Sequence, residues 1–154
     1  MKELQTLVSR AVELFTTGYN CSQSSFVALC EYYGVEGNPK VASCFGGGIG
    51  RSGGPCGILT GSLMAIGTLF GTSCPEDKEG KERITEMGKE FLRVFKDIEG
   101  KVDCKDLTGM DIATPEGYAA FSERGLKKSV CIPLMEATML KAAQFIEKEG
   151  KRPD

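Results

Sequence analysis

Residues 56–70 read CGILTGSLMAIGTLF and lie within a longer stretch, 52–75, that contains no charged residue. The segment has the length of a helix but no polar face, so such a helix must be surrounded by protein or by lipid. Its glycine, serine and threonine content favours protein, and Gly57 and Gly61 would let a neighbouring helix approach closely. We therefore predict a buried, Gly-rich central helix and no membrane insertion.

Long segments on both sides of this central helix each have a single apolar face. In these segments apolar residues recur at the three- and four-residue spacing of an α-helix. The faces are Leu4, Leu7, Val8, Ala11, Leu14 and Phe15; Ile84, Met87, Phe91, Val94, Phe95 and Ile98; and Leu134, Met135, Thr138, Ala142, Phe145 and Ile146.

Start and stop signals divide the chain further. Gly18 can end the first helix, and Asn20 can cap a second helix over about 21–33 in an Asn form of the capping box. Pro75 is placed to begin the long charged helix, and Thr114-Pro115 to begin a short one. No segment shows strand alternation, so we predict an all-α fold. Residues 1–154 would form one domain, a bundle of six or seven helices.

Composition excludes several classes of function. The chain has no histidine, which removes Ser-His-Asp and Cys-His catalysis and His-ligated metal sites. Its formal net charge of −2 argues against nucleic acid as a partner. Residues 48–53 match the letters GxGxxG, but no strand is predicted before them, so this is a weak indication of nucleotide binding. The N-terminus lacks the apolar core of a signal peptide, which predicts a cytoplasmic protein with reduced thiols.

Cysteine is the residue that points to chemistry. Seven cysteines occur without any Cys-x-x-Cys pair, so the fold itself must assemble a site. Four of them follow predicted helix starts, where backbone N–H groups and nearby lysine or arginine favour a thiolate: Cys21, Cys56, Cys104 and Cys131. Cys30 lies on an apolar helix face and is interpreted as a packing residue, whereas Cys44 and Cys74 stay undecided.

A family resemblance points to the same four cysteines. Residues 20–23, the glycine loop running into 56–61, then Cys104 and Cys131, make the chain similar to the C_GCAxxG_C_C family of redox-active proteins. The resemblance covers about 8–145 and implies that Cys21, Cys56, Cys104 and Cys131 are the functional set. Ile58 stands where the family core has alanine.

Four thiolates without histidine suit an iron–sulfur cluster or tetrahedral zinc. Our leading hypothesis is a [2Fe–2S] cluster, held by Cys21, Cys56, Cys104 and Cys131, that transfers electrons to and from a redox partner protein. The alternatives are a structural zinc site, a dithiol/disulfide oxidoreductase, and a scaffold with inert thiols. Whether the protein is an enzyme, and whether it forms a homo-oligomer, are left open by the sequence.

Overall fold

The computed structural model describes residues 3–151 and confirms the all-α prediction. Of these residues, 68% are helical, with seven α-helices and no strand among them. The α-helices are α1 (Leu4–Thr16), α2 (Cys21–Tyr32), α3 (Gly57–Phe70), α4 (Lys78–Glu99), α5 (Cys104–Thr108), α6 (Pro115–Glu123) and α7 (Ile132–Lys148). A 3₁₀ turn, Pro39–Ala42, follows α2, and a π turn, Lys127–Cys131, leads directly into α7. All the long helices share one apolar core.

The centre of the bundle is the pair of helices α2 and α3. Half of the 14 residues of the predicted central helix α3 are buried, and α2 is buried on nearly all sides. A Cβ atom at Gly61 would meet the backbone carbonyl oxygen of Ser22, so glycine allows the two helices to approach as predicted. Serines on α2 are tolerated inside because they bond back to helix carbonyls; Ser25, for example, donates to the carbonyl oxygen of Cys21 over 2.7 Å.

Three amphipathic helices cover this pair. The faces predicted for α1, α4 and α7 point inward, with Ala11, Phe91, Phe95 and Met135 fully buried. On the far side of the core, the hydroxyl of Tyr33 donates to the backbone carbonyl oxygen of Ala143 over 3.3 Å. The predicted helix periodicities therefore account for the packing of all three helices.

The start of α4 differs from the prediction. The helix begins at Lys78 rather than at Pro75, because Asp77 is the residue that caps it. The carboxylate of Asp77 accepts a 2.9 Å hydrogen bond from the N–H of Gly80, which satisfies one of the free donors of the first turn. No helix in the described part of the chain combines the length and apolar character that crossing a membrane requires.

Candidate functional site

A short backbone pairing brings together the segments that carry Cys56 and Cys104. The N–H of Cys56 donates to the carbonyl oxygen of Val102 over 2.9 Å, and the N–H of Cys104 donates to that of Gly54 over 2.7 Å. Cys56 is the cap of α3 and Cys104 the first residue of α5, as the helix-start prediction requires. Main-chain hydrogen bonds thus hold together two segments whose cysteines are 48 positions apart in the sequence.

Cys21 is positioned by a capping box and by the start of α3. The side chain of Asn20 accepts from the N–H of Gln23 over 2.9 Å, and the side chain of Gln23 accepts from the N–H of Asn20 over 3.1 Å, as predicted. A Cβ atom at Gly57 would overlap the sulfur of Cys21. The N–H groups of Gly47 and Gly57 also donate to this sulfur. Cys21 therefore lies in a pocket of backbone donors that only glycine leaves open.

The fourth cysteine, Cys131, ends the π turn that precedes α7. This turn is held at its other end by Lys127, whose ammonium donates to the carbonyl oxygen of Phe15 over 2.8 Å and lies 4.2 Å from the centre of the Phe15 ring. Wide π turns inside helices are frequent at functional sites because they redirect side chains. Here the turn directs the side chain of Cys131 toward the other three thiols.

The four thiols named from the sequence lie together. Each of the six pairs among Cys21, Cys56, Cys104 and Cys131 is electrostatically coupled, so that the charge of one raises the pKa of the other. The other three cysteines lie elsewhere. Cys30 is fully buried in the core, and Cys44 and Cys74 are exposed.

Burial controls the protonation of these thiols. It is the largest cause that raises the pKa of Cys104 to about 11 and that of Cys131 to about 12, and it also raises the pKa of Cys56 and Cys21. Backbone N–H groups lower the pKa of Cys21, and Lys127 lowers that of Cys131, but neither effect offsets burial. The expected favouring of the thiolate by N–H groups and nearby cations is present at Cys21 and Cys131, but burial outweighs it.

Three of the four cysteines line a cavity of about 600 Å³ that opens to solvent. Cys21, Cys104 and Cys131 contribute to its wall, whereas Cys56 is buried at 7% exposure. The lining also includes four aromatic and two basic side chains: Phe15, Tyr19, Tyr118, Phe121, Arg51 and Lys127. Sequence reasoning identified the cysteines but not the aromatic wall, because residues 118 and 121 follow no motif and reach the cavity only through the tertiary fold.

The glycine loop before Cys56 has an unusual backbone. All residues of 47–51 have positive φ, including the non-glycine residues Ile49 (68°) and Arg51 (59°). A Cβ atom at Gly48 would overlap the backbone of Gly54, which explains why glycine is required there. No strand precedes this loop within residues 3–151, so the GxGxxG letters do not have the βαβ context of a dinucleotide site.

The sulfur atoms do not surround a single point. Among residues 3–151, no three cysteine, aspartate or glutamate side chains are arranged to hold one metal ion. The four thiols are therefore neighbours in one region rather than a preformed set of metal ligands.

Fold and site together define an all-α protein with four neighbouring cysteines, three of which line one cavity. The model of the family described as "Putative redox-active protein (C_GCAxxG_C_C)" matches residues 19–145, and the chain belongs to this family. It is also 31% identical over 127 residues to an uncharacterized protein of Archaeoglobus fulgidus, covering 75% of this chain and 83% of the relative. No solved structure matches the chain.

Proposed function

We propose that the protein transfers electrons through a [2Fe–2S] cluster bound by Cys21, Cys56, Cys104 and Cys131. The observation that carries this proposal is the mutual proximity of these four thiols, which come from four separate places in the sequence. Membership of a redox-active family supports a redox role in general. The cluster and its electron transfer are our more specific interpretation.

The chemistry of the donor set fits such a group. Thiolates are the ligands that iron–sulfur clusters use, and no histidine is available to replace any of them. Backbone N–H groups of Gly47 and Gly57 already donate to the sulfur of Cys21, and such hydrogen bonds tune the potential of a cluster. When bound, an iron–sulfur cluster accepts and releases one electron at a time.

The protein would contribute burial, charge compensation and a route for access. Binding requires the four thiols to lose their protons, so their high pKa values make uptake of the group a proton-releasing event. Lys127 is placed to offset negative charge at Cys131. The cavity leaves one side open to a redox partner protein, which we expect in the cytoplasm, where free thiols persist.

The raised pKa values also bear on the dithiol alternative. Attack on a disulfide requires a thiolate, and reactive cysteines of this kind have lowered pKa values. All four thiols of the site have raised ones. The burial that raises these pKa values therefore disfavours a free reactive dithiol at this site.

Single Cys→Ser variants of the four residues test the proposal, with Cys74→Ser as the matched control because Cys74 is exposed and outside the site. Each protein is purified anaerobically, and its visible absorption and iron content are measured. We expect each site variant to lose most of the absorption and iron, and Cys74→Ser to lose none. If the wild-type protein is colourless and contains stoichiometric zinc, the site has a structural role and not a redox role. If the protein is metal-free and needs only two of the four cysteines to reduce a test disulfide, it is a dithiol/disulfide oxidoreductase.

A further inference from the structure

Apart from the cysteines, the ionisable side chains that line the cavity include cations but no carboxylate. Arg51 and Lys127 contribute to the wall, and none of its lining residues is an aspartate or glutamate. Over the whole chain, acidic residues outnumber basic ones, 21 to 19. A cavity with two cations and no carboxylate in a slightly acidic protein is suited to a negatively charged ligand.

Arg51 is held in a fixed place with its donors unused. Its backbone has a φ of 59°, a conformation that costs a non-glycine residue free energy and that is concentrated at functional sites. The guanidinium lies 4.2 Å from the centre of the Tyr118 ring. No acceptor within residues 3–151 forms an ion pair or a hydrogen bond with this guanidinium. Its N–H groups are therefore available to a ligand.

Lys127 provides a second, similarly fixed cation. One of its ammonium protons is donated to the carbonyl oxygen of Phe15, and the ammonium rests on the Phe15 ring. An ammonium group has three donors, so two remain for another acceptor. Both cations at the cavity are thus in contact with an aromatic ring and not with a carboxylate.

We infer that this cavity binds a small, planar organic carboxylate, which Arg51 and Lys127 hold by its anionic group. A planar guanidinium binds carboxylates through two parallel hydrogen bonds, and this favours a carboxylate over a spherical anion. The volume of about 600 Å³ falls within the usual range of small-molecule sites, and the rings of Tyr118 and Phe121 provide an apolar wall for a planar ligand. That the carboxylate is a substrate of the redox site rests on the proposed function. Binding of the carboxylate to the cavity can be measured separately.

Benzoate is a suitable probe, because benzamide has nearly the same shape without the charge. Calorimetric titration of the protein as purified should show that benzoate binds about tenfold or more tightly than benzamide. Arg51→Met should weaken benzoate binding about tenfold or more, and Lys127→Met should weaken it to a smaller extent. Arg93→Met removes the same charge from the exposed surface of α4 and should leave binding unchanged.

The inference is wrong if the wild type does not bind benzoate, if benzamide binds equally well, or if Arg93→Met has the same effect as Arg51→Met. Iron content is measured on the same samples. A protein that contains iron but does not bind benzoate contradicts only the ligand class. A protein that binds benzoate through Arg51 but contains no metal contradicts only the proposed cluster.

Discussion

Cys56 and Cys30 are both buried thiols, at 7% and 0% exposure, but their surroundings differ in kind. Cys30 lies in the apolar core, where a Cβ atom added at Gly37 would be 2.7 Å from its own Cβ. Cys56 is coupled to three other thiols and accepts a hydrogen bond from the N–H of Ile58. Burial alone therefore does not distinguish a packing cysteine from a site cysteine; the neighbouring sulfurs and N–H groups do.

The same contrast holds for the backbone around each region. The core around Cys30 is built from regular helices, whereas the cysteine site is built from helix ends, a π turn and the left-handed loop 47–51. Regular helices give stability through packing, and irregular segments cost stability but aim backbone N–H groups at one place. The two regions should therefore respond differently to substitution, and the following experiments are designed to show this.

The largest difference should appear in thiol reactivity. In the metal-free, reduced protein, iodoacetamide at pH 8 should label exposed Cys44 and Cys74 at least about 100-fold faster than Cys104, because burial raises the pKa of Cys104 to about 11. Above pH 8 the Cys104 rate should rise about tenfold per pH unit, since the thiolate fraction grows by that factor below the pKa. Mass spectrometry of the labelled peptides measures both rates, and circular dichroism verifies that the protein stays folded. Labelling of Cys104 as fast as that of Cys74, without pH dependence, would contradict the assignment of a buried site.

A methyl group added at Gly57 should disrupt the site. Because its Cβ atom would overlap the sulfur of Cys21, Gly57→Ala should lower the iron content of anaerobically purified protein about tenfold or more. Gly67→Ala is the control on the same helix, since its Cβ would contact nothing within 4 Å. This control should keep its iron and gain up to about 1 kcal/mol of stability. Equal iron contents in the two variants would show that the space beside Cys21 is not needed.

Substitution in the other region should affect stability and not metal content. Cys30→Ser places a hydroxyl in the apolar core beside Phe26 and Leu29, so we expect the free energy of unfolding to fall by about 1–3 kcal/mol. Urea denaturation measures this change, and iron analysis should show no loss from the folded variant. If folded Cys30→Ser protein lacks iron, the division of the molecule into a core thiol and site thiols is incorrect.

The smallest effects should come from two helix caps of similar strength. Asn20→Ala and Asp77→Ala each remove one side-chain cap, so each should lower stability by about 1 kcal/mol in thermal unfolding. Only Asn20 precedes a site cysteine and donates to the carbonyl oxygen of Ser43, over 3.1 Å. Asn20→Ala should therefore also change the visible absorption, while Asp77→Ala should not. Identical spectra would mean that the cap supports the helix but not the site.

Much of the fold could be predicted from sequence because its determinants are local. The apolar faces of α1, α4 and α7, the capping box at Asn20 and the buried glycines of α3 all follow from spacing and residue type. The start of α4 was placed at Pro75 because proline favours the first turn, but Asp77 offers a side-chain acceptor and proline does not.

The site was less predictable because it depends on contacts between distant segments. Helix-start positions and the family resemblance select the four cysteines, which the structure brings together. Nothing local indicates that Cys56 pairs with Val102, or that Tyr118 supports Arg51. The raised pKa values of the thiols could not be predicted from helix-start position, because burial, the largest cause of the shifts, is a property of the assembled fold.

The central claim is that the four-cysteine region binds a cluster and the Cys30 region does not. The most direct test is the content of iron and acid-labile sulfide in protein purified without oxygen. We expect about two iron and two sulfide ions per chain, with visible absorption that decreases on reduction and disappears on chelation. A folded protein with neither iron nor sulfide, or with zinc alone, would contradict it.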